Sequence, residues 1–162
     1  MTLLKGSNMQ LTEILTQGAV KVLGGCSSKK RLFHDLGELA AHSYSTPAAD
    51  VIDALIEREG LGPTGVGHGI ALPHARLADV TQVHGIFLRL EKPVDFDSVD
   101  RQPVDLVFAL LAPEEASVDH LRALALVSRT MCDPDVCAKL RANAEPATLH
   151  AILTEPQSGQ VR

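Results

Sequence analysis

The reactive side chains of this 162-residue sequence are concentrated in seven histidines, three cysteines and one glycine-rich stretch. The stretch reads GPTGVGHGIALPHAR, from Gly62 to Arg76, and places His74 directly after Pro73. Glycine-rich loops hold phosphate through backbone N–H groups, usually where a strand feeds a helix. The spacing here is Gly65-x-Gly67-x-Gly69, and the residues after it read as a strand. That departs from the dinucleotide fingerprint, and no Gly-Lys-Ser/Thr follows as in a P-loop. A nucleotide cofactor is therefore not expected. Two readings of the glycines remain: a tight turn that needs positive φ, or clearance that lets another molecule's backbone approach His74.

Among the histidines, His74 has the most informative setting. It follows a short apolar run, "GIALPH", with Pro73 fixing the approach of the chain. A side chain at a strand end stands on rigid support, where sites in α/β proteins usually form. His120 falls in the first turn of a helix whose cap is Ser117. Free N–H groups at such an end favour a nearby anion. Arg58 lies near the end of the helix before the glycines, and its plain role would be a surface ion pair with Glu57 or Glu59. His34, His42 and His150 lie in helices with polar neighbours and are expected to face solvent. Neither H-E-x-x-H nor a helical H-x-x-x-H pair occurs, so no metal site is expected. A metal-binding module built from His68, His74 and His120 remains an alternative. Cys132 and Cys137 flank a Pro break and are expected to pack between helices as small apolar groups.

These residues need elements to hold them. "AVKVL" (19–23) reads as a strand that Gly24-Gly25 ends. "SSKKRLFHDLGELAAHSY" repeats apolar residues at helical spacing after a Ser27 or Ser28 cap. "STPAADVIDALIEREG" is a second helix, capped by Ser45 or Thr46, closed by Gly60 and burying Val51 and Leu55 with Ile52 or Ile56. "GIALPH" reads as a short buried strand ended by Pro73, and "VHGIFLRL" (83–90) as another. "VDLVFALLA" (104–112) suits a central strand covered on both faces. Three helices follow: one presenting Val118, Leu121, Leu124, Ala125 and Thr130, one opening at Asp133-Pro134, and a short last one in "EPATLHAILT". The order predicts a single α/β or α+β domain, one sheet with helices packed on it. Residues 1–9 and 156–162 are expected to be flexible tails around a domain spanning 10–155.

Composition narrows the function classes. The net charge is −5 and aromatic residues make up 3%. Nucleic-acid binding wants basic surfaces and, for single strands, aromatic platforms, so it is not expected. No apolar run approaches the roughly 20 residues that span a bilayer, so membrane insertion is not expected. No secretory signal is recognisable, so a cytoplasmic location with reduced thiols is expected.

Glu59, Val66-Gly67 and Ile70-Ala71-Leu72-Pro73-His74-Ala75 together resemble the active-site signature of type 2 enzyme IIA components of the phosphoenolpyruvate-dependent phosphotransferase system, the fructose/mannitol class. The resemblance covers nearly the whole chain. "SKKR", the "GxTGxGxGIAxPH" run and the segment from Val99 to Leu111 look most like the nitrogen-regulatory branch. The sequence departs from it at Pro63, where Ser is common, at His68, where Asn is common, and at Ala75-Arg76, where Gly-Lys is frequent.

The resemblance implies an α/β fold with a central mixed sheet flanked by helices on both sides. It implies that His74 accepts a phosphoryl group at Nε2 from an HPr-like phosphocarrier, with Arg58 and His120 lining the same site. It also implies regulatory target proteins, with potassium transport and sensor-kinase systems among the candidates. Neutral imidazole is a good nucleophile near pH 7. Phosphoryl transfer asks a protein mainly for positioning and charge stabilisation. The phosphoryl group arrives already activated on a donor histidine, so no cofactor is expected. With no IIB, HPr or membrane domain in the sequence, a mainly regulatory role is expected. The alternatives are a sugar-specific IIA that passes phosphate to a fructose or mannitol IIB, and a binding module that never accepts phosphate. Leu61, Val66 and Leu72 are candidates for the apolar rim that receives the phosphocarrier.

Overall fold

The computed structural model describes residues 9–115 and 118–155. The expected tails lie outside these residues except Met9, which packs against the core, and the Ser117 cap lies outside them too. The strands are β1 (Val20–Gly25), β2 (Gly65–Gly67), β3 (Ile70–Ala71), β4 (His74–Leu77), β5 (His84–Val94) and β6 (Val104–Pro113). The helices are α1 (Lys29–Tyr44), α2 (Ala48–Glu59), α3 (Val118–Met131), α4 (Pro134–Arg141) and α5 (Pro146–Thr154). Two 3-10 turns, Leu11–Glu13 and Gln17–Ala19, precede β1.

The sheet is mixed and runs β1-β5-β6-β3-β2, with β4 also paired to β6. β5 and β6 are antiparallel, whereas β1 lies parallel to β5, and β3 and β4 lie parallel to β6. Thus β3 and β4 occupy successive stretches of one flank of β6, separated by Leu72-Pro73. The apolar run of β6 divides by alternation, as expected for a strand covered on both faces. Leu106, Phe108, Leu110 and Ala112 join a core with Ala123, Val127, Leu140 and Leu153. Val107, Ala109 and Leu111 join a second core with Leu32, Leu36, Val51 and Leu55. So α1 and α2 cover one face and α3 to α5 the other. All four phenylalanines are buried, although aromatic residues are scarce.

Several boundaries differ from the sequence reading. β1 continues through Gly24-Gly25, because parallel pairing with β5 carries it to the Gly25–Lys92 partnership. Ser28 caps α1, accepting the Arg31 N–H at 3.1 Å. Ser45 does not cap α2: it ends α1 in the left-handed region with φ 59°. Thr46 is buried and α2 starts after Pro47, without a side-chain cap. Val51 and Leu55 are buried as expected, Ile52 half-buried and Ile56 exposed. On α3 the inward stripe is His120, Ala123, Val127 and Thr130, while Val118, Leu121 and Ala125 face outward. Both stripes have helical spacing, and polar His120 and Thr130 lie on the inner one; Thr130 satisfies its hydroxyl on Leu126 O at 2.9 Å. Pro73 separates two strands rather than ending the run, and His74 opens the second of them.

The glycines work inside the molecule. His68 (φ 57°) and Gly69 (φ 79°) form the β2–β3 turn, which Arg141 clamps through His68 O at 2.8 Å and Asp105. A Cβ on Gly65 would collide with Ser98 Oγ and stand 3.1 Å from its Cβ. The clearance expected for a docking donor is thus occupied at Gly65 by the loop that leads into β6. Gly65→Ala should lower stability by about 1–3 kcal/mol, as overpacking does. Chemical denaturation would measure it, and Ser98→Gly in the same chain should recover part of the loss.

Candidate functional site

His74 begins β4, where pairing with Leu110 of β6 fixes its backbone. Its Nδ1 lies 3.1 Å from the Leu72 carbonyl oxygen, and Arg58 Nε lies 3.3 Å from its Nε2. A carbonyl can only accept and a guanidinium can only donate. The two neighbours therefore select one neutral tautomer, with the proton on Nδ1 and the lone pair on Nε2. Arg58 is held in turn by Gly62 O, 3.0 Å from its Nη1. Arg58 does not make the ion pair with Glu57 or Glu59 that its neighbours suggested; Glu59 pairs with Lys29.

His120 comes from the opposite helical layer. Its ring centroid is 6.1 Å from that of His74, and the residue is 6% exposed. Burial holds its pKa below the ordinary value, and the charges of His74 and Arg76 act the same way. Arg58, His74 and His120 share an open cleft of about 440 Å³ with Ala54, Glu57, Leu61, Ala75 and Arg76. The three expected site residues are thus brought together. Arg76 was missed as a member, although strand alternation places it on the same side of β4 as His74. Two guanidiniums face one carboxylate here, so the cleft offers positive charge on a chain of net charge −5.

Other expected residues go elsewhere. His68 sits in the β2–β3 turn with its N–H on Asp100 at 2.8 Å, away from the cleft. Among the described residues no three His, Cys, Asp or Glu side chains stand together as metal ligands. Of the proposed apolar rim, Leu61 is 83% exposed and Val66 is exposed, but Leu72 belongs to the core. His42 faces solvent, whereas His34 is half-buried and His150 is half-buried with Nε2 on Leu15 O at 2.9 Å. Cys137 is buried as expected and Cys132 is exposed. No helix among the described residues is long and apolar enough to cross a membrane.

Residues 13–155 match the family described as "Phosphoenolpyruvate-dependent sugar phosphotransferase system, EIIA 2". The chain belongs to this EIIA family. This EIIA chain is 40% identical over 148 residues to the Nitrogen regulatory protein of Bradyrhizobium diazoefficiens, covering 91% of the chain and 97% of that protein. It is also 40% identical over 152 residues to the Nitrogen regulatory protein of Escherichia coli (strain K12), covering 93% of each. The crystal structure of Nitrogen Regulatory Protein IIA-Ntr from Neisseria meningitidis superposes with TM-score 0.82 at 39% identity, over 89% of this chain and 99% of that one. The α/β fold expected of the family, a mixed sheet between two helical layers, is the fold observed.

The depressed pKa of His120 has a signed consequence. Below the unfolded value near 6.5 the unfolded chain binds more protons at this residue than the folded chain. Stability from this group is complete above that pH and is lost on acidification, until the folded pKa is passed. Between pH 7 and 5.5 the parent should therefore lose more stability than His120→Gln, as read by denaturation at each pH.

Proposed function

We propose that this EIIA chain is a phosphohistidine relay whose loaded state regulates other proteins. His74 is the acceptor, and one observation carries the assignment: its Nε2 lone pair is set by the Leu72 carbonyl on one side of the ring and Arg58 on the other. The donor is a phosphohistidine of an HPr-like phosphocarrier. The Nε2 lone pair forms the new N–P bond while the donor's N–P bond breaks, its electron pair returning to the donor ring. The His74 ring becomes cationic, and the Leu72 carbonyl keeps its hold on the Nδ1 proton. Arg58 donates to Nε2 only until the phosphoryl oxygens replace that lone pair as acceptors; its planar fork suits them. Arg76 and His120 lie beside the same oxygens.

Loading places a phosphoryl dianion on a ring that has become cationic, a net change of about one negative charge in an open positive cleft. Partners that read this face would meet a positive cleft in the unloaded state and a largely neutralised one, carrying phosphoryl oxygens, in the loaded state. Identity to proteins named Nitrogen regulatory protein over nine tenths of the chain favours regulation over delivery to a sugar-specific IIB. Potassium transport and sensor-kinase systems stand among the candidate regulatory targets.

The test is incubation with phosphorylated phosphocarrier. The parent should take up one phosphoryl group, stable in base and labile in acid as an N–P bond is. His74→Ala should take up none, and uptake equal to the parent would refute the site. Arg58→Lys keeps the charge but loses the fork, and transfer should slow roughly hundredfold.

A further inference from the structure

Glu59 follows Arg58 at the end of α2, yet its side chain is turned away from the cleft and only 7% exposed. Its carboxylate accepts three donors: Lys29 Nζ at 2.8 Å, the Thr64 N–H at 3.0 Å and the Thr64 hydroxyl at 2.6 Å. A buried ion pair is weak grounds for stability, since desolvation offsets its attraction. The hydrogen bonds that continue from it lead to the reactive ring by two routes.

The first route runs through Thr64. Its carbonyl accepts the Leu72 N–H at 2.9 Å, and the Leu72 carbonyl faces His74 Nδ1 at 3.1 Å. The second runs through the loop that Glu59 closes onto Thr64. The Gly62 N–H returns to Glu59 O at 3.1 Å, which with the Thr64 clamp fixes Gly62 from both sides. The Gly62 carbonyl then takes Arg58 Nη1 at 3.0 Å, and Arg58 Nε reaches His74 Nε2. The groups on both ring nitrogens are therefore held by segments that meet at Glu59: its carboxylate fixes Thr64 and through it Leu72, and together with the backbone Gly62–Glu59 bond it closes the loop whose carbonyl holds Arg58. Lys29 anchors that carboxylate to the start of α1, while also reaching Asp97 at 3.4 Å and lying 4.8 Å from the centre of the Phe96 ring.

We propose that Glu59, clamped by Lys29 and Thr64, is the positioning residue that sets the tautomer and orientation of His74. The proposal deepens the relay reading and rests on it for its kinetic consequence alone. In Glu59→Gln at least one of the three donors loses its acceptor. The loop then relaxes, and the Leu72 carbonyl and Arg58 release the ring together. Thr64→Val removes one of the three bonds at nearly constant shape and should act in the same direction, more weakly.

The decisive measurement is the 15N shift pair of the His74 ring in the unphosphorylated protein, above the pH at which the ring titrates. The parent should show a protonated Nδ1 and a bare Nε2. Glu59→Gln, folded by circular dichroism, should show the two shifts drawn together, as for a ring that exchanges tautomers; Thr64→Val should show a smaller movement. A structural role alone would lower the melting temperature and leave the ring signals as in the parent. Unchanged ring signals in both variants would overturn the proposal, and if Glu59→Gln does not fold, Thr64→Val decides it. In the transfer assay Glu59→Gln should lose rate roughly ten- to hundredfold, in kcat rather than KM for the phosphocarrier. A parent that never takes phosphate would refute the relay reading, while the nitrogen shifts still judge Glu59.

Discussion

At Leu72 a backbone carbonyl on the flank of the central strand is given to a side chain. Leu72 is buried, and a buried carbonyl must find a donor. Pro73, which has no N–H, separates β3 from β4 while its own carbonyl accepts the Leu110 N–H of β6 at 2.9 Å. The flank of β6 is thus continued across the gap, and the Leu72 oxygen is met by the imidazole two residues on. A general requirement of folding, that buried backbone acceptors be paired, here also chooses which nitrogen of His74 is bare. The lone pair on which the proposed relay rests follows from that choice.

The remaining architecture brings charge to the bare nitrogen. α2 packs into the core on one face of the sheet and carries Arg58 in its last turn. α3 packs into the core on the other face and starts beside His120. The alternation of β6 is what allows both: from Leu106 to Ala112, odd positions hold one helical layer and even positions the other. His74, at the start of a short strand paired to β6, stands where the ends of the two layers meet.

Much of this was legible in the sequence, for identifiable reasons. The apolar run 104–112 announced a strand covered twice, because no other placement buries both of its faces. Helix α1 was marked by its Ser28 cap, and the break at Asp133-Pro134 by a cap and a proline at the next helix start. His74 and its partners Arg58 and His120 came from family resemblance, since spacing alone gave Arg58 no more than a surface ion pair. Arg76 could have been found from alternation along β4, had the strand been placed after Pro73 rather than before it. Of the residues that helical spacing singled out on α3, Thr130 is buried and Leu124 packs against the core, while Val118, Leu121 and Ala125 face outward because the inner stripe is the one that carries polar His120. The Gly65–Ser98 contact joins residues 33 positions apart, and nothing local signals it. The same holds for the reach of Lys29 to Glu59.

The cleft is a seam between two cores, and seams can part on either side. A fluctuation that lifts α3 to α5 from the sheet would withdraw His120 and leave His74, Arg58 and Leu72 joined. One that loosens α2 would take Arg58 away and leave the rings of His74 and His120 together. Regions with separate cores open with separate free energies. Opening on one side would thus take apart a different pair of cleft residues from opening on the other.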